Sequence, residues 1–110
     1  MSETAIVAGP DSDGLGDALA DEGFDISRIE DVVSSSTLEA AGIDDAEMVV
    51  LTDVAEASGI PVAKELNPDV RVVVYSPRSL PEVATRQTDL AVDPALLDVR
   101  VVAEELAAEN

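Results

Sequence analysis

The chain has 110 residues, of which 46% are hydrophobic, so residues 1–110 are long enough for one globular domain and too short for separate catalytic and substrate domains. The 24 acidic and 6 basic residues give a net charge of −18, which repels nucleic acid and anionic membrane surfaces and excludes both as expected partners. Cysteine and histidine are absent, which excludes disulfides, thiolate nucleophiles, zinc–sulfur sites and a histidine base.

The first predicted elements are a strand, a glycine-rich loop and a helix. Ala5 to Ala8 is a continuous apolar run, which is typical of a strand buried on both faces of a parallel sheet. Gly9, Gly14 and Gly16 follow in a polar loop, and apolar residues at helical spacing come next. This order is typical of a nucleotide-binding turn, in which the first N–H groups of the helix point at a phosphate. The three glycines are therefore candidate phosphate-binding residues.

The same loop leaves other interpretations open. Gly9 and Gly16 are farther apart than G-x-G-x-x-G allows, and Asp11 and Asp13 stand where a pyrophosphate would lie. One alternative is a glycine-containing turn with solvated acids that binds nothing. Another is an enzyme in which the two aspartates and Asp53 converge on Mg²⁺, since hard cations prefer oxygen ligands. Whether Asp11 and Asp13 bind a cation stays open, and no complete catalytic constellation is visible.

The second predicted strand is Phe24 to Ile29, and Glu30 stands at its end. Glu30 comes 21 residues after Gly9, close to the ~20 at which dinucleotide-binding folds place the acid that contacts the ribose. The segment that follows is too short for a crossover helix and a full strand, so we expect the usual second helix to be missing and Val32 and Val33 to form a stub of strand.

The remaining elements alternate in the same way. Met48 to Leu51 is an apolar strand, and Thr52 and Asp53 close it at the edge where ligands bind in open α/β sheets. Val70 to Tyr75 is rich in β-branched residues and is predicted as a central strand. The other predicted elements are a helix at Thr37–Ala41, a helix at Val54–Leu66 interrupted at Gly59 and Pro61, a helix at Leu80–Gln87, a strand at Leu90–Val92, and a last helix from Pro94 to Ala108.

This alternation of strands and helices predicts an α/β fold. We expect a single three-layer αβα, Rossmann-like domain with a mostly parallel sheet of five to six strands and a truncated third strand region. No apolar run approaches the ~20 residues of a membrane span, and the N-terminus lacks the features of a signal peptide. A cytoplasmic location is therefore expected.

The stretch T-L-E-A-A-G-I-D-D-A-E-M-V-V-L-T-D, residues 37–53, is similar to part of TrkA-type (TrkA-N, or RCK) nucleotide-binding domains, which regulate K⁺ channels and transporters. The segments A-K-E-L-N-P-D-V-R-V-V-V and D-L-A-V-D-P also resemble that family's fifth and sixth strand segments. The resemblance implies a stand-alone regulatory module that binds NAD(H) or an adenine nucleotide such as ATP or ADP. It also implies a role for each of these residues: Gly9, Gly14 and Gly16 at the phosphates, Glu30 at the ribose, Ser35 and Ser36 beside the adenine, and Thr52 and Asp53 along the cofactor's edge.

The chain also departs from that family. Ser35 replaces an acidic residue and Tyr75 stands where an arginine is common. The alternative is a degenerate domain of the same shape that binds a protein partner or self-associates without nucleotide. A homodimer is expected, because the missing crossover helix would leave apolar surface near Val32 and Val33 thinly covered. A receiver domain is not expected, because no lysine lies near the end of the fifth strand. The spread of acidic residues resembles the composition of cytosolic proteins from salt-accumulating halophiles.

Overall fold

The computed structural model describes residues 3–11, 13–30, 33–53, 58–76 and 88–108. Five strands and four helices alternate in these segments, together with a short 3-10 turn at Ile43–Asp45. In chain order they are β1 Thr4–Ala8, α1 Leu15–Asp21, β2 Asp25–Ile29, α2 Ser35–Ala40, β3 Ala46–Leu51, α3 Gly59–Leu66, β4 Arg71–Tyr75, β5 Leu90–Val92 and α4 Val99–Ala108. The predicted helix at Leu80–Gln87 lies outside the described residues.

The strands form one sheet in the order β2-β1-β3-β4-β5, and every neighbouring pair is parallel. The predicted fold class is confirmed, because helices pack on both faces of a parallel sheet. The strand order reverses at β1. The chain first adds β2 on one side of β1 and then crosses over to add β3 on its other side. A classic dinucleotide-binding fold instead has the order 3-2-1-4-5-6.

Successive side chains of each strand lie on opposite faces of the sheet, where they belong to two separate apolar clusters. On one face Ala5 and Val7 pack with Leu15 and Leu19 of α1 and with Leu106 of α4. On the other face lie Ile6 and Ala8 of β1, which pack with residues of α2 and α3. Both clusters are needed because a parallel sheet is buried on its two faces. The continuous apolar runs seen in the sequence follow from this arrangement.

The connection from β2 to β3 differs from the sequence prediction. The predicted helix at Thr37–Ala41 is the crossover helix itself, α2, so no crossover helix is missing. Val33 lies outside the strands and is 6% exposed. Ser34 starts α2 through a capping box, in which its hydroxyl accepts from the Thr37 N–H while the Thr37 hydroxyl accepts from the Ser34 N–H. A serine before a short apolar pattern is therefore enough to begin this helix.

The last helix begins later than predicted. Pro94, Ala95 and Leu96 form turns, and the helix runs from Val99. Its start is marked by the Val102 N–H, which donates to the Asp98 carbonyl at 3.1 Å. The segment between β5 and α4 is therefore a loop at the edge of the sheet, in a place where the sequence predicted helix.

Polar side chains form hydrogen bonds where β4 and β5 begin, at the edge of the sheet opposite to the carboxyl ends of the strands. Lys64 Nζ donates to the Val70 carbonyl at 2.8 Å and to Asp89 Oδ2 at 2.9 Å. The same Asp89 oxygen accepts from the Val72 N–H at 2.7 Å. Burial raises the pKa of Asp89, but these two hydrogen bonds and the positive charges of Lys64 and Arg71 outweigh it and leave the pKa below its ordinary value. Lys64 is thus engaged far from the carboxyl ends of the strands.

Among the described helices, none has the length and apolar character to cross a membrane. The described backbone therefore offers no candidate membrane span.

We expect the stability of the fold to rise with salt concentration. A net charge of −18 repels itself more strongly in the compact state than in the unfolded chain. The Debye length falls from ~10 Å at 0.1 M to ~3 Å at 1 M, so molar KCl removes most of this repulsion. Thermal unfolding followed by circular dichroism should show a midpoint higher by about 5 °C or more in 1 M KCl than in dilute buffer. Equal concentrations of NaCl should act alike, and a midpoint that does not change with salt would contradict the explanation.

Candidate functional site

The carboxyl ends of the five parallel strands meet at one edge of the sheet, which we call the carboxyl edge. Ligands of open α/β sheets bind at this edge, beside the strand where the order reverses. In this chain that strand is β1. The polar residues that directly follow the strands here are Asp11 and Asp13 after β1, Glu30 after β2, Thr52 and Asp53 after β3, Ser76 after β4, and Asp93 after β5.

Asp11 occupies the N-terminus of α1 with its own carboxylate. Its Oδ1 accepts from the Leu15 N–H at 2.8 Å, and its Oδ2 accepts from the Gly16 N–H at 2.9 Å. These are the N–H groups that would face a phosphate in a nucleotide-binding turn. Because the Asp11 side chain is only 9% exposed, the carboxylate is held inside the turn. An anion of the chain itself thus fills the predicted phosphate position.

Arg28 of β2 neutralises this internal anion. Its Nη1 lies 3.1 Å from Asp11 Oδ2, and its Nη2 lies 3.4 Å from Asp17 Oδ1. Gly16 makes the arrangement possible, since a Cβ at this position would lie 2.7 Å from Arg28 Nη2 and 2.9 Å from Asp11 Oδ2. The glycine therefore leaves room for an ion pair within the protein.

Gly9 lies where the end of β1 meets the end of β3. Its φ of +96° lies in the left-handed region, and a Cβ here would lie 2.7 Å from Thr52 Oγ1. Thr52 in turn donates its hydroxyl hydrogen to the Ala8 carbonyl at 3.2 Å. The end of β1 therefore packs directly on the end of β3. Gly14, with φ +76°, precedes α1 and has open space around it.

The electrostatic potential at this edge is negative. Tyr75 is buried at the end of β4, and its hydroxyl donates to the Leu97 carbonyl at 3.2 Å. Burial raises the pKa of Tyr75, and the negative charges of Asp13, Asp98 and Asp11 raise it further. Three carboxylates from two different loops thus act on one hydroxyl. The same three carboxylates would repel an added anionic group.

The three carboxylates considered for Mg²⁺ do not form a cation site. Within the described segments, which include Asp11, Asp13 and Asp53, no three acidic side chains are grouped so that they could hold a metal ion. Asp11 is also committed to α1 and Arg28. The geometry thus offers no basis for metal-assisted chemistry by these residues.

The predicted site residues fall into two groups in space. Gly9, Thr52 and Asp53 are in contact range of one another, because a Cβ on Gly9 would lie 3.4 Å from the Cβ of Asp53. Gly16 donates its N–H to the Asp11 carboxylate, and Gly14 donates its N–H to the Asp11 backbone carbonyl. Glu30 is exposed and lines a shallow cavity of about 260 Å³ between β2 and α2, whose other lining residues are Ser27, Arg28, Ile29, Thr37, Ala40 and Ala41. Ser35 and Ser36 are exposed in the first turn of α2.

Arg28, which pairs with Asp11, was not predicted from the sequence. Arg28 is 17 residues from Asp11, and nothing in the local pattern pairs them. The role of Asp11 carried a signal, because an acidic residue just before an apolar-periodic segment is a helix-start signal. Asp11 was predicted to stand where a pyrophosphate would lie, and its carboxylate accepts the N–H groups of that turn.

Comparison with known proteins identifies a family for this chain and solved structures with the same fold. The model of a protein family described as a family of unknown function (DUF7126) matches residues 5–106. Among curated proteins, no sequence is significantly similar to this one. Solved structures are similar across nearly the whole chain, although sequence identities below 25% show the fold alone.

Three of the similar structures illustrate this fold. An orphan response regulator of H. pylori has a TM-score of 0.75 and 18% identity, with 97% of this chain and 95% of that chain covered. An atypical orphan response regulator, described as having a phosphorylation-independent regulatory mechanism, has a TM-score of 0.72 and 17% identity, with 96% and 92% covered. A CheY-like response regulator receiver domain protein from Methanospirillum hungatei JF-1 has a TM-score of 0.69 and 13% identity, with 99% and 94% covered.

These findings correct the resemblance to TrkA-type domains. The three similar structures described above are response regulators or receiver domains, and the strand order 2-1-3-4-5 is that of the CheY-like fold. The nucleotide-binding function inferred from the resemblance is therefore wrong. The exclusion of a receiver fold was also wrong, because it treated a missing lysine as a property of the fold. A lysine can be absent from the end of β5, where Asp93 stands, while the fold is kept.

Proposed function

We propose that this chain, which belongs to the DUF7126 family, is a receiver-like regulatory domain that acts by binding a protein partner, without a bound nucleotide and without phosphorylation of an aspartate. The observation that carries the proposal is the carboxylate of Asp11, which fills the N-terminus of α1 and pairs with Arg28. The position that would hold an external anion is thereby satisfied from within the chain.

The charges of the carboxyl edge support the same conclusion. A phosphoryl group on Asp53 would add about −1.5 to −2 charges at neutral pH. Such a group is stabilised by cations, through charge-assisted hydrogen bonds to arginine or lysine or through a metal ion. The described segments contain four basic residues. Arg28 is bonded to Asp11 at this edge, Lys64 and Arg71 are bonded at the edge where the strands begin, and Arg100 lines a cavity with Asp21 and Glu22. The described residues therefore provide acids where the modified group would need bases.

The similarity to response regulators supports regulation through contact with another protein. One of them is described as regulated independently of phosphorylation. In this proposal the domain keeps the fold of a response regulator. At the carboxyl edge, hydrogen bonds within the chain take the place of a bound phosphate.

The experiment is a phosphorylation assay with nucleotide titration. The protein is incubated with acetyl phosphate and Mg²⁺, and intact mass spectrometry should detect no phosphoryl adduct, while a receiver domain that accepts phosphate serves as positive control. NADH and ATP at millimolar concentration should leave the unfolding midpoint unchanged, whereas a ligand of the folded state would raise the free energy of unfolding by RT ln(1 + [L]/Kd) and the midpoint with it.

The variant Asp53→Asn identifies the outcome that would overturn the proposal. A phosphoryl adduct on the wild type that is absent from Asp53→Asn would establish a phosphoacceptor, and a midpoint raised by either nucleotide would establish a ligand. Absence of both leaves the contact-based function as the one that fits the geometry.

A further inference from the structure

An apolar patch lies on the loop between β5 and α4. Among the residues that the structure describes, three large hydrophobic side chains are exposed: Leu96 at 78%, Leu97 at 42% and Val101 at 42%. Leu97 and Val101 are four residues apart, at the start of α4. All of the large exposed apolar side chains in the described segments thus come from six consecutive positions, which we call the 96–101 patch.

The loop that carries this patch is held firmly by hydrogen bonds. Asp93 Oδ1 accepts from the Ala95 N–H at 2.9 Å, and the Asp93 carbonyl accepts from the N–H groups of Leu96 and Leu97 at 2.9 and 3.3 Å. From beneath, the buried Tyr75 hydroxyl donates to the Leu97 carbonyl. A backbone fixed at so many points presents Leu96 to solvent as part of the fold. A backbone that is already fixed loses little conformational entropy when a partner covers the loop.

Acidic residues border the patch. Asp98 is exposed beside Leu97, and Glu105 lies one helical turn beyond Val101 on the same face of α4. Asp98 acts electrostatically on Tyr75 together with Asp13, so the charge extends to the neighbouring loop. Arg100 turns toward α1, where it lines a separate cavity with Asp21 and Glu22. The patch therefore has an apolar centre and a negatively charged rim.

We propose that the 96–101 patch binds an amphipathic segment of another protein, in which apolar side chains are flanked by lysine or arginine. This proposal rests on the proposed function and adds its surface and partner chemistry. Apolar centres with polar rims are the usual anatomy of a binding surface, and opposite charge at the rim accelerates and orients association. A helix with one apolar and one basic face meets both requirements.

A second copy of this chain is a poor occupant of the patch. Each copy carries a net charge of −18, so two copies repel each other. A stable interface buries about 800 Å² on each partner, far more than three side chains supply. The small apolar area suits a short segment with complementary charge.

The test measures the affinity of the intact protein for a labelled helical peptide of about 14 leucine and lysine residues. Fluorescence anisotropy is recorded at ~0.15 M KCl, where the Debye length is ~8 Å and non-specific attraction is reduced. The variant Leu96→Ser/Leu97→Ser removes apolar surface without changing charge, and Ala20→Ser/Ala40→Ser makes the matched change at exposed positions elsewhere. Asp98→Asn is compared in the same way with Asp44→Asn, since both aspartates are exposed.

We expect the Leu96→Ser/Leu97→Ser variant to bind at least tenfold more weakly than wild type, and Asp98→Asn to bind two- to threefold more weakly. The variants with substitutions elsewhere should bind like wild type, and a peptide with serine in place of leucine should bind wild type at least tenfold more weakly. Circular dichroism of each variant confirms folding.

Equal binding by wild type and Leu96→Ser/Leu97→Ser, or no binding of the leucine–lysine peptide, would overturn the patch proposal. Sedimentation showing a wild-type dimer that Leu96→Ser/Leu97→Ser abolishes would overturn it too, because the occupant would then be a second copy. None of these results concerns the proposed function, which fails instead on a phosphoryl adduct at Asp53 or a stabilising nucleotide.

Discussion

Replacing Asp11 by alanine should lower the free energy of unfolding by about 2 kcal/mol, because it removes the side chain that caps α1. The Leu15 and Gly16 N–H groups lose their acceptor, and the guanidinium of Arg28 loses the nearer of its two carboxylate partners. For a domain of this size such a loss lowers the unfolding midpoint by roughly 10 °C. Thermal and urea unfolding of wild type and variant at one fixed high KCl concentration measure it.

Two further substitutions separate the cap from the ion pair. Asp17 also contacts Arg28, but its side chain is 88% exposed, so Asp17→Ala should change stability by less than about 0.5 kcal/mol. Asp11→Asn keeps one acceptor and loses the charge, and should fall between Asp11→Ala and wild type. If Asp11→Ala is as stable as Asp17→Ala, the carboxylate does not fill the turn and the argument for a closed anion site fails.

The sequence predicted the fold class well because its strongest signals are set by burial. The runs Ala5–Ala8 and Met48–Leu51, and residues 72–75 of the predicted strand Val70–Tyr75, are apolar on successive residues because each strand is covered on both faces, and all three lie in strands of the sheet. The spacing and type of the residues within a short segment are therefore enough to indicate a buried strand. Five strands with helices between them leave few alternatives to a three-layer parallel sheet.

The strand order could not be read in the same way. Whether β3 pairs with β1 or lies beyond β2 depends on which side the crossover takes, and local patterns do not encode that choice. The segment before Ser34 was interpreted as a missing helix because a third strand was assumed after β2. With α2 as the crossover, both positions of β3 remain possible, and the observed pairing of β3 with β1 is what separates this fold from the dinucleotide-binding order.

The groups that approach the glycines could not be predicted for a similar reason, since most of them come from distant parts of the chain. Gly9, Gly14 and Gly16 signal that backbone or another group comes close, and the structure shows such approaches at Gly9 and Gly16. A sequence does not say whether the approaching group is a phosphate or the protein's own side chain. Here it is Thr52 at Gly9, and the Asp11–Arg28 pair at Gly16. A glycine pattern predicts close approach and leaves the identity of the group to the fold.

Substituting alanine for Gly59 should destabilise the protein by about 2 kcal/mol, because the new methyl group would collide with Val33. Gly59 is the buried first residue of α3, and a Cβ there would lie against Val33 Cγ1 and 2.9 Å from Val33 Cβ. At an exposed helical position the same change would stabilise by about 1 kcal/mol. A loss of stability would therefore indicate that the loop before α2 packs on α3, and a gain would indicate that it does not. Urea unfolding provides the measurement, and Ser58→Ala, next to it and without a side-chain cap bond, is the control.

The double variant Gly59→Ala/Val33→Ala completes the argument. Val33→Ala alone removes buried methyl groups and should cost about 1–2 kcal/mol. In the double variant the alanine methyl takes the space that Val33 gives up, so the combined loss should be smaller than the sum by at least about 1 kcal/mol. Additive losses would mean that the two residues do not touch, and Val33 would again be available as the apolar surface from which a homodimer was expected. A coupled result keeps Val33 inside the domain and leaves the 96–101 patch as the apolar surface that the described residues offer to a partner.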